Sequence, residues 1–279
     1  PHRFGDLLDY WGGLKDLEDK RLRVLHSLSF VDDPTRVLRA VRLEQRLCFR
    51  IDKSSAELIK LALPLLARVS GDRIRHEIEN MFAESTPEIM LVRLEEIGVP
   101  SVLYTALAGQ ADEWLVERFT AARKRVPQEQ LPLIYYCLWL YRLDWSDTEA
   151  ICRRLKVKAG TWRVLQRIRD VKTELPALEE AANPSEVVRV LNGCAQASLT
   201  VVALAENEIV RENIRRYTDQ YQHVKPTITG ADLRAQGVEP GPKFGRILRR
   251  LRAAWLNGEV SDATDEAELL RKLLIVESE

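Results

Sequence analysis

The sequence predicts an all-α protein, and three observations carry that expectation. Apolar residues recur at helical spacing over most of the chain after residue 30, alternating strand patterns are nearly absent there, and Pro or Gly falls where helices would start and stop. Residues 1–30 are short and turn-rich, with Gly5, Gly12 and Gly13, and with Leu22 and Val24 alternating as one brief strand would. Asp32-Asp33-Pro34 then sets acids and a proline at a helix start, and Val37, Leu38, Val41 and Leu47 follow at near-helical spacing. Further helices are expected over 54–66, over 72–82 with Ser70 as N-cap, and over 87–97, stopped by Gly98-Val99-Pro100. Amphipathic segments continue at 112–123, 130–143, 147–155, 160–173, 185–191 and 196–221, with breaks at Pro127, Pro132, Gly160, Pro176, Pro184 and Gly193. Residues 225–242 are rich in Pro and Gly, a basic helix follows at about 243–257, and the chain closes on an acidic stretch and an apolar helix over 269–276. No period of 20 to 50 residues stands out, which disfavours a repeat array.

The 279 residues suffice for two or three compact domains. Lys plus Arg and Asp plus Glu both number 42, so the net charge is zero and a uniformly basic nucleic-acid binder is excluded. A locally basic surface is not, because the charges are unevenly placed. Cys48, Cys137, Cys152 and Cys194 lie far apart with no histidine at ligand spacing, so zinc is not expected. Cys48 and Cys137 sit in apolar runs that suggest buried thiols, and a reduced, cytoplasmic setting with no membrane partner is the expectation. No apolar stretch approaches the roughly 20 residues that span a bilayer. The opening Pro1-His2-Arg3-Phe4 has no initiator Met, and the chain is read as a piece of something longer. His2, His26, His76 and His223 have no partner pattern, and Trp114, Trp139, Trp145 and Trp162 suit helix packing better than base stacking.

On a helix opened by Pro34, positions 33, 36 and 39 lie on one side, which groups a carboxylate with two guanidiniums. A carboxylate accepts from a base amino group and Arg donates to ring nitrogens and carbonyl oxygens, so Asp33 and Arg36 could read the edge of a base. The plainer reading is an acid on a helix dipole with local ion pairs.

Context favours the first reading. Asp9-Tyr10-Trp11-Gly12-Gly13-Leu14-Lys15-Asp16-Leu17, followed by Leu22-Arg23-Val24-Leu25, resembles the head-to-neck segment of the class II tRNA nucleotidyltransferase and bacterial poly(A) polymerase family. Phe30-Val31-Asp32-Asp33-Pro34-Thr35-Arg36-Val37-Leu38-Arg39-Ala40-Val41-Arg42 resembles that family's Glu-Asp-Pro-x-Arg-x-x-Arg-Ala-x-Arg helix, with Asp32 in place of the usual Glu. Val69-Ser70-Gly71-Asp72-Arg73-Ile74-Arg75-His76-Glu77-Ile78 resembles its next neck motif. The resemblance implies the end of a head and its linker over 1–30, a nucleotide-selecting neck over 31–100, a helical body over 101–222 and a tRNA-binding tail over 223–279. It implies that Asp33 and Arg36 read the incoming base, that Arg39 supports it or the triphosphate, that Asp32 and Arg42 are also nucleotide-binding, and that Arg73 and Glu77 brace the neck. For Arg73 and Glu77 an ordinary intrahelical pair is the other reading, and for Asp9 and Asp16 a plain loop role stands beside organising the head–neck junction.

Between Gly241 and Gly258 lie five basic residues and no acid. Pro242, Arg246, Arg249 and Arg250 fall on one side of that helix, while Phe244, Ile247, Leu248, Leu251 and Trp255 are expected to be its buried side. Lys243, Arg246, Arg249 and Arg250 suit an RNA backbone, in salt-dependent and sequence-tolerant fashion; a solvated basic face is the alternative. The order Ile-x-Gly-x-Asp-Leu to Gly-Pro-x-x-Gly resembles the tail of bacterial members of the family.

Nucleotidyl transfer needs paired carboxylates holding metal ions, and the sequence contains no Asp-x-Asp. The resemblance therefore implies a chain without catalytic or metal-binding residues of its own, a partner head in the same polypeptide that binds Mg2+, and ATP, with CTP as a further candidate, as substrate. The tRNA acceptor arm is the other implied partner. Two rival functions are a poly(A) polymerase acting on general RNA 3′ ends and a non-catalytic helical RNA-binding protein.

Overall fold

The computed structural model describes residues 8–239 and 241–276, and among these it is all-α with one two-stranded parallel ribbon. Gly5, His2, Pro1–Phe4 and Pro240 lie outside the described residues. The chain forms two compact units, one up to Leu165 and one from Gln166 onward.

The first unit runs α1 (Gly13–Glu18), β1 (Arg21–Leu22), α2 (Ser29–Asp32), α3 (Arg36–Leu47), β2 (Arg50–Ile51) and α4 (Lys53–Ala62), then a 3-10 turn over Leu63–Arg68. It continues through α5 (Gly71–Phe82), α6 (Pro87–Ile97), α7 (Val99–Leu103), α8 (Glu113–Arg125), α9 (Leu131–Leu140) and α10 (Trp145–Arg154). The turn-rich start thus holds a helix, α1, whose entry rests on Gly12 at φ 72 and on Asp9, which accepts from the backbone of Gly13 at 2.8 Å and Leu14 at 2.9 Å. The expected strand has a partner that periodicity did not indicate, β2, in the register Arg21 to Arg50 and Leu22 to Ile51.

Helix α6 ends at Gly98 in the left-handed conformation, φ 88, but α7 follows at once, with Pro100 in its first turn. Helix α9 is apolar all round and is correspondingly buried from Ile134 to Leu140. Phe82 of α5 sits among Phe119, Tyr136 and Trp139 with ring centroids 6.0, 5.7 and 5.9 Å away, and Phe119 stacks on Tyr135 at 4.3 Å. Such pairs add about 0.5–1.5 kcal/mol each beyond area burial. Trp139 is thus a packing residue, and Trp145 lies against Trp162 at 5.0 Å.

The start of α5 is joined to the end of α10 at very close range. A Cβ on Gly71 would stand 1.7 Å from the carbonyl oxygen of Arg154, so only glycine fits. Arg154 donates to the carbonyls of Ala67 at 3.1 Å and Val69 at 2.8 Å, while Arg75 donates to those of Leu155, at 3.2 Å, and Lys156.

In the second unit, beyond α11 (Ala159–Thr173), come α12 (Leu175–Glu179), α13 (Pro184–Leu191), α14 (Gln196–Ala205), α15 (Glu208–Asp219), α16 (Gly230–Ala235), α17 (Pro242–Leu256) and α18 (Ala263–Val276). The segment expected as one helix over 196–221 is two. Asn207 breaks it by accepting from the backbone N–H of Val210 at 3.1 Å, a side-chain N-cap without Gly or Pro. The last helix begins at Ala263, earlier than its apolar run suggests, because its first turns carry the acids Asp265, Glu266 and Glu268. Leu233, Val238, Ile247, Leu251 and Leu270 form the core between α16, α17 and α18. Glu266 is fully buried there and accepts from the backbone of Thr227 at 3.0 Å and Ile228 at 3.3 Å. Among the described residues no single helix is long and apolar enough to cross a membrane.

Candidate nucleotide and RNA site

Helix α3 is preceded by a turn. Asp33 is extended, φ −143, and its Oδ1 accepts from the Thr35 backbone at 3.0 Å and the Thr35 hydroxyl at 2.6 Å. This local turn fixes the carboxylate ahead of the helix; Pro34 and Thr35 form the turn, so α3 begins at Arg36 rather than at Pro34. The same Oδ1 accepts from Nη2 of Arg73 on α5 at 2.8 Å. Partial burial pushes the Asp33 carboxyl up, but the Thr35 hydrogen bonds and the charges of Arg73 and Arg39 outweigh it, and the net shift is below the ordinary 3.8.

Arg36 and Arg39 lie one turn apart on α3 and both line a hollow of about 180 Å³ with Leu22, Arg23, Val24, Phe30, Ala40, Leu43, Ile51 and Ser55. Nη1 of Arg36 donates to the Ser29 hydroxyl at 2.7 Å and to the Ser29 carbonyl at 3.4 Å. Nη2 of Arg39 donates to Glu77 at 2.9 Å; that hydrogen bond raises the Arg39 pKa above its ordinary value. Glu77 is buried, and its Oε2 has no hydrogen-bond partner. The hollow is smaller than the roughly 300–1,000 Å³ of sites that enclose a whole ligand. It suits a base-sized group, with apolar faces on Leu22, Val24, Phe30 and Ile51 and guanidinium donors at its edge.

The structure therefore brings Arg36 and Arg39 together on one opening. Asp33 is not among the lining residues, and it pairs with Arg73 rather than Arg36. Asp32 is exposed at the end of α2. Arg42 does not line the hollow either; its Nη1 lies 3.4 Å from Glu84, which also faces Arg46 at 3.8 Å. Arg73 and Glu77 do not pair with each other within α5 as neighbours on one helix would, but each reaches α3 separately, to Asp33 and Arg39.

Sequence reasoning missed two members of this site. Arg23, held by Asp16 at 2.6 Å and by the Trp11 carbonyl, supplies a third guanidinium to the lining. Ser29, buried beneath Arg36, is the other. Only the β1–β2 pairing and the turn of α2 reveal them, and neither leaves a periodic trace in the sequence.

In α17, Arg246 and Arg249 are exposed, whereas Lys243 and Arg250 are half-buried. Arg250 pairs with Glu259 at 2.5 Å. The fifth cation, Arg252, is turned to backbone, donating to the carbonyl of Val224 at 3.0 Å and to Asn192 Oδ1 at 3.1 Å. Ile247 and Leu251 are buried as expected; Phe244, Leu248 and Trp255 are only half-buried. Cys48 is exposed, contrary to the apolar-run expectation, because it closes α3 in the left-handed conformation at φ 54. Cys137 is buried as its run suggests. Among the described residues no three His, Cys, Asp or Glu side chains gather into a cluster that could hold a metal ion.

Residues 48–108 match a family model described as the probable RNA and SrmB-binding site of polymerase A. The chain is 30% identical over 287 residues to the A-adding tRNA nucleotidyltransferase of Geobacter sulfurreducens, a match covering 97% of this chain and 33% of that protein's length. Its fold matches the Thermotoga maritima CCA-adding enzyme complexed with tRNA at TM-score 0.76 and 25% identity, over 99% of this chain and 69% of that one. A CCA-adding enzyme in complex with CTP matches at TM-score 0.78 and 26% identity, over 98% of this chain and 68% of that one. In ordered motifs, in sequence over nearly its whole length and in fold, the chain belongs to the tRNA nucleotidyltransferase and bacterial poly(A) polymerase family.

Proposed function

We propose that this chain is the nucleotide-selecting and RNA-binding portion of an enzyme that adds adenosine from ATP to the tRNA 3′ end, with CTP as a second candidate substrate. In this reading residues 31–100 form a neck that chooses the base, 101–222 a body, and 223–279 a tail that holds the tRNA acceptor arm. Magnesium and the transfer chemistry come from the carboxylates of a head domain in the same polypeptide. The observation that supports the reading best is that Arg36 and Arg39 share one base-sized hollow, each guanidinium held by a fixed acceptor.

The chain's residues do three things here. Arg36 presents N–H donors to acceptors on the base edge, Arg39 and Arg23 add donors and positive charge for sugar or phosphate oxygens, and the apolar wall excludes water from the base faces. Asp33 supplies the acceptor for a base amino group only if it exchanges Arg73 for the ligand. Helix α17, with Lys243, Arg246, Arg249 and Arg250, binds RNA phosphates through charge. The test is extension of tRNA lacking its terminal adenosine by the intact gene product, with ATP and CTP supplied separately. Arg36→Ala should abolish the preference between them; retained preference overturns the assignment. A second reading, adenosine addition to general RNA 3′ ends, is favoured by the family model's description, and a non-tRNA primer in the same assay separates the two.

A further inference from the structure

We propose that Ser29 is a positioning residue that sets which N–H groups of Arg36 face the base, and thereby sets nucleotide specificity. The inference rests on the proposed function above and deepens it.

A guanidinium reads a base only if its orientation is fixed, because its five N–H donors span a planar fork and any rotation of that fork exchanges the donor pattern presented. Arg36 enters the hollow from the first turn of α3, and its side chain is only partly buried. The fork is held from outside α3. The fixed acceptors come from the preceding turn, the Ser29 hydroxyl at 2.7 Å and the more distant Ser29 carbonyl at 3.4 Å, both on Nη1. Ser29 can serve because it is itself enclosed. It is 5% exposed, opens the one-turn helix α2, and precedes Phe30, which is buried and also lines the hollow. Nη1 is thus committed to the protein, and Nε and Nη2 remain for a ligand. Arg39 is held in the same manner by a different acceptor, Glu77, so the two arginines of the hollow are oriented independently.

The distances decide the relative weight of the two acceptors. At 2.7 Å the hydroxyl makes a good hydrogen bond, whereas 3.4 Å to the carbonyl lies beyond the usual 2.7–3.2 Å range for N–H donors. Removing the hydroxyl therefore removes most of the constraint while leaving the charge of Arg36 in place. A hydrogen bond to a charged group contributes enough to change rates by about tenfold or somewhat more when it is lost.

The experiment compares Ser29→Ala, Ser29→Thr and Arg36→Ala in the intact gene product, measuring kcat/KM for ATP, CTP and GTP on the same tRNA primer. Ser29→Ala should lower kcat/KM for the preferred nucleotide by about tenfold while lowering the others little, so that the preference narrows. Ser29→Thr, which keeps the hydroxyl, should restore the preference. An equal fall for all three nucleotides in Ser29→Ala would mark a merely structural role and overturn the proposal. If Ser29→Thr fails to fold, Ser29→Cys replaces it, since a thiol is a weak acceptor, and a Cys variant as selective as the parent overturns the proposal. Arg36→Ala separates the two levels. A loss of preference there with none in Ser29→Ala sinks the positioning role alone, and no loss in either sinks the base-reading assignment on which it stands.

Discussion

Arg73 reaches across 40 positions of sequence to donate to Asp33 at 2.8 Å, and this contact joins the start of α3 to the first turn of α5. The guanidinium is half exposed, so the pair contributes only about 0–1 kcal/mol to folding. Arg73→Gln should therefore leave the urea midpoint nearly unchanged while altering the carboxylate it held. Because the folded-state value of Asp33 is depressed, its stabilising contribution is present above the ordinary 3.8 and is lost as pH falls through the lower folded value. An NMR titration of the Asp33 carboxyl should show its midpoint below 3.8 in the parent and higher in Arg73→Gln. An unmoved midpoint would mean that the contact does not persist in solution.

Gly71→Ala is expected to cost roughly 3 kcal/mol, the upper end of what overpacking usually costs. The new methyl would meet backbone, the Arg154 carbonyl, rather than a side chain that can swing aside. Chemical denaturation measures the loss. A variant as stable as the parent would show that the two helix ends stand further apart than this contact requires.

Glu88 and Arg123 form a two-armed pair with one arm at 2.7 Å, and the Glu88 side chain is only 6% exposed. Removing the acid leaves a guanidinium against an aromatic core with only neutral acceptors, the Thr120 hydroxyl at 3.3 Å and the Tyr135 hydroxyl at 3.5 Å. Glu88→Ala should lose about 3 kcal/mol of stability, and Glu88→Gln distinctly less because it retains an acceptor. Equal losses from both would place the cost in packing rather than charge.

The four cysteines should differ in reactivity toward a maleimide near neutral pH. Cys48 is exposed and should label first. Cys137 and Cys152 should label only on unfolding, because burial shields both and pushes the thiols up, Cys152 to about 12. Burial also raises Cys194, and Arg167, 3.0 Å away, works against that, so it should react at an intermediate rate. Mass spectrometry of timed digests gives the order.

If α17 binds RNA phosphates, replacing Arg246 and Arg249 together should weaken tRNA binding without changing its sequence preference. The dependence of log affinity on log salt should fall in slope by about two, about one for each phosphate contact removed. An unchanged slope would place the contact elsewhere.

Helix α6 was legible because its limits are local chemistry, with Pro87 in the first turn and Gly98 free to adopt the left-handed stop. The break at Asn207 was not, since an asparagine side chain in a long apolar segment ends a helix only once it has a backbone N–H to accept from. Strand β2 spans two residues, too few for alternation to register, and its existence depends on β1 lying 29 positions upstream by register. The site divides along the same line. Arg36 and Arg39 could be found from spacing on one helix, whereas Ser29 and Arg23 gain their roles from partners that only tertiary pairing brings near.

The joint at Gly71 is closed by side chains that seek main-chain oxygen. Arg154 and Arg75 grip the carbonyls of Ala67, Val69, Leu155 and Lys156, groups every residue type carries. The hydrogen bonds themselves make no demand on side-chain identity, so exposed Ala67 is free to change, whereas Val69 and Leu155 are held by burial and Lys156 by its ion pair with Asp72 at 3.2 Å. Tolerance and intolerance to drift should alternate along this seam, and a saturation scan of the six positions would draw that boundary residue by residue.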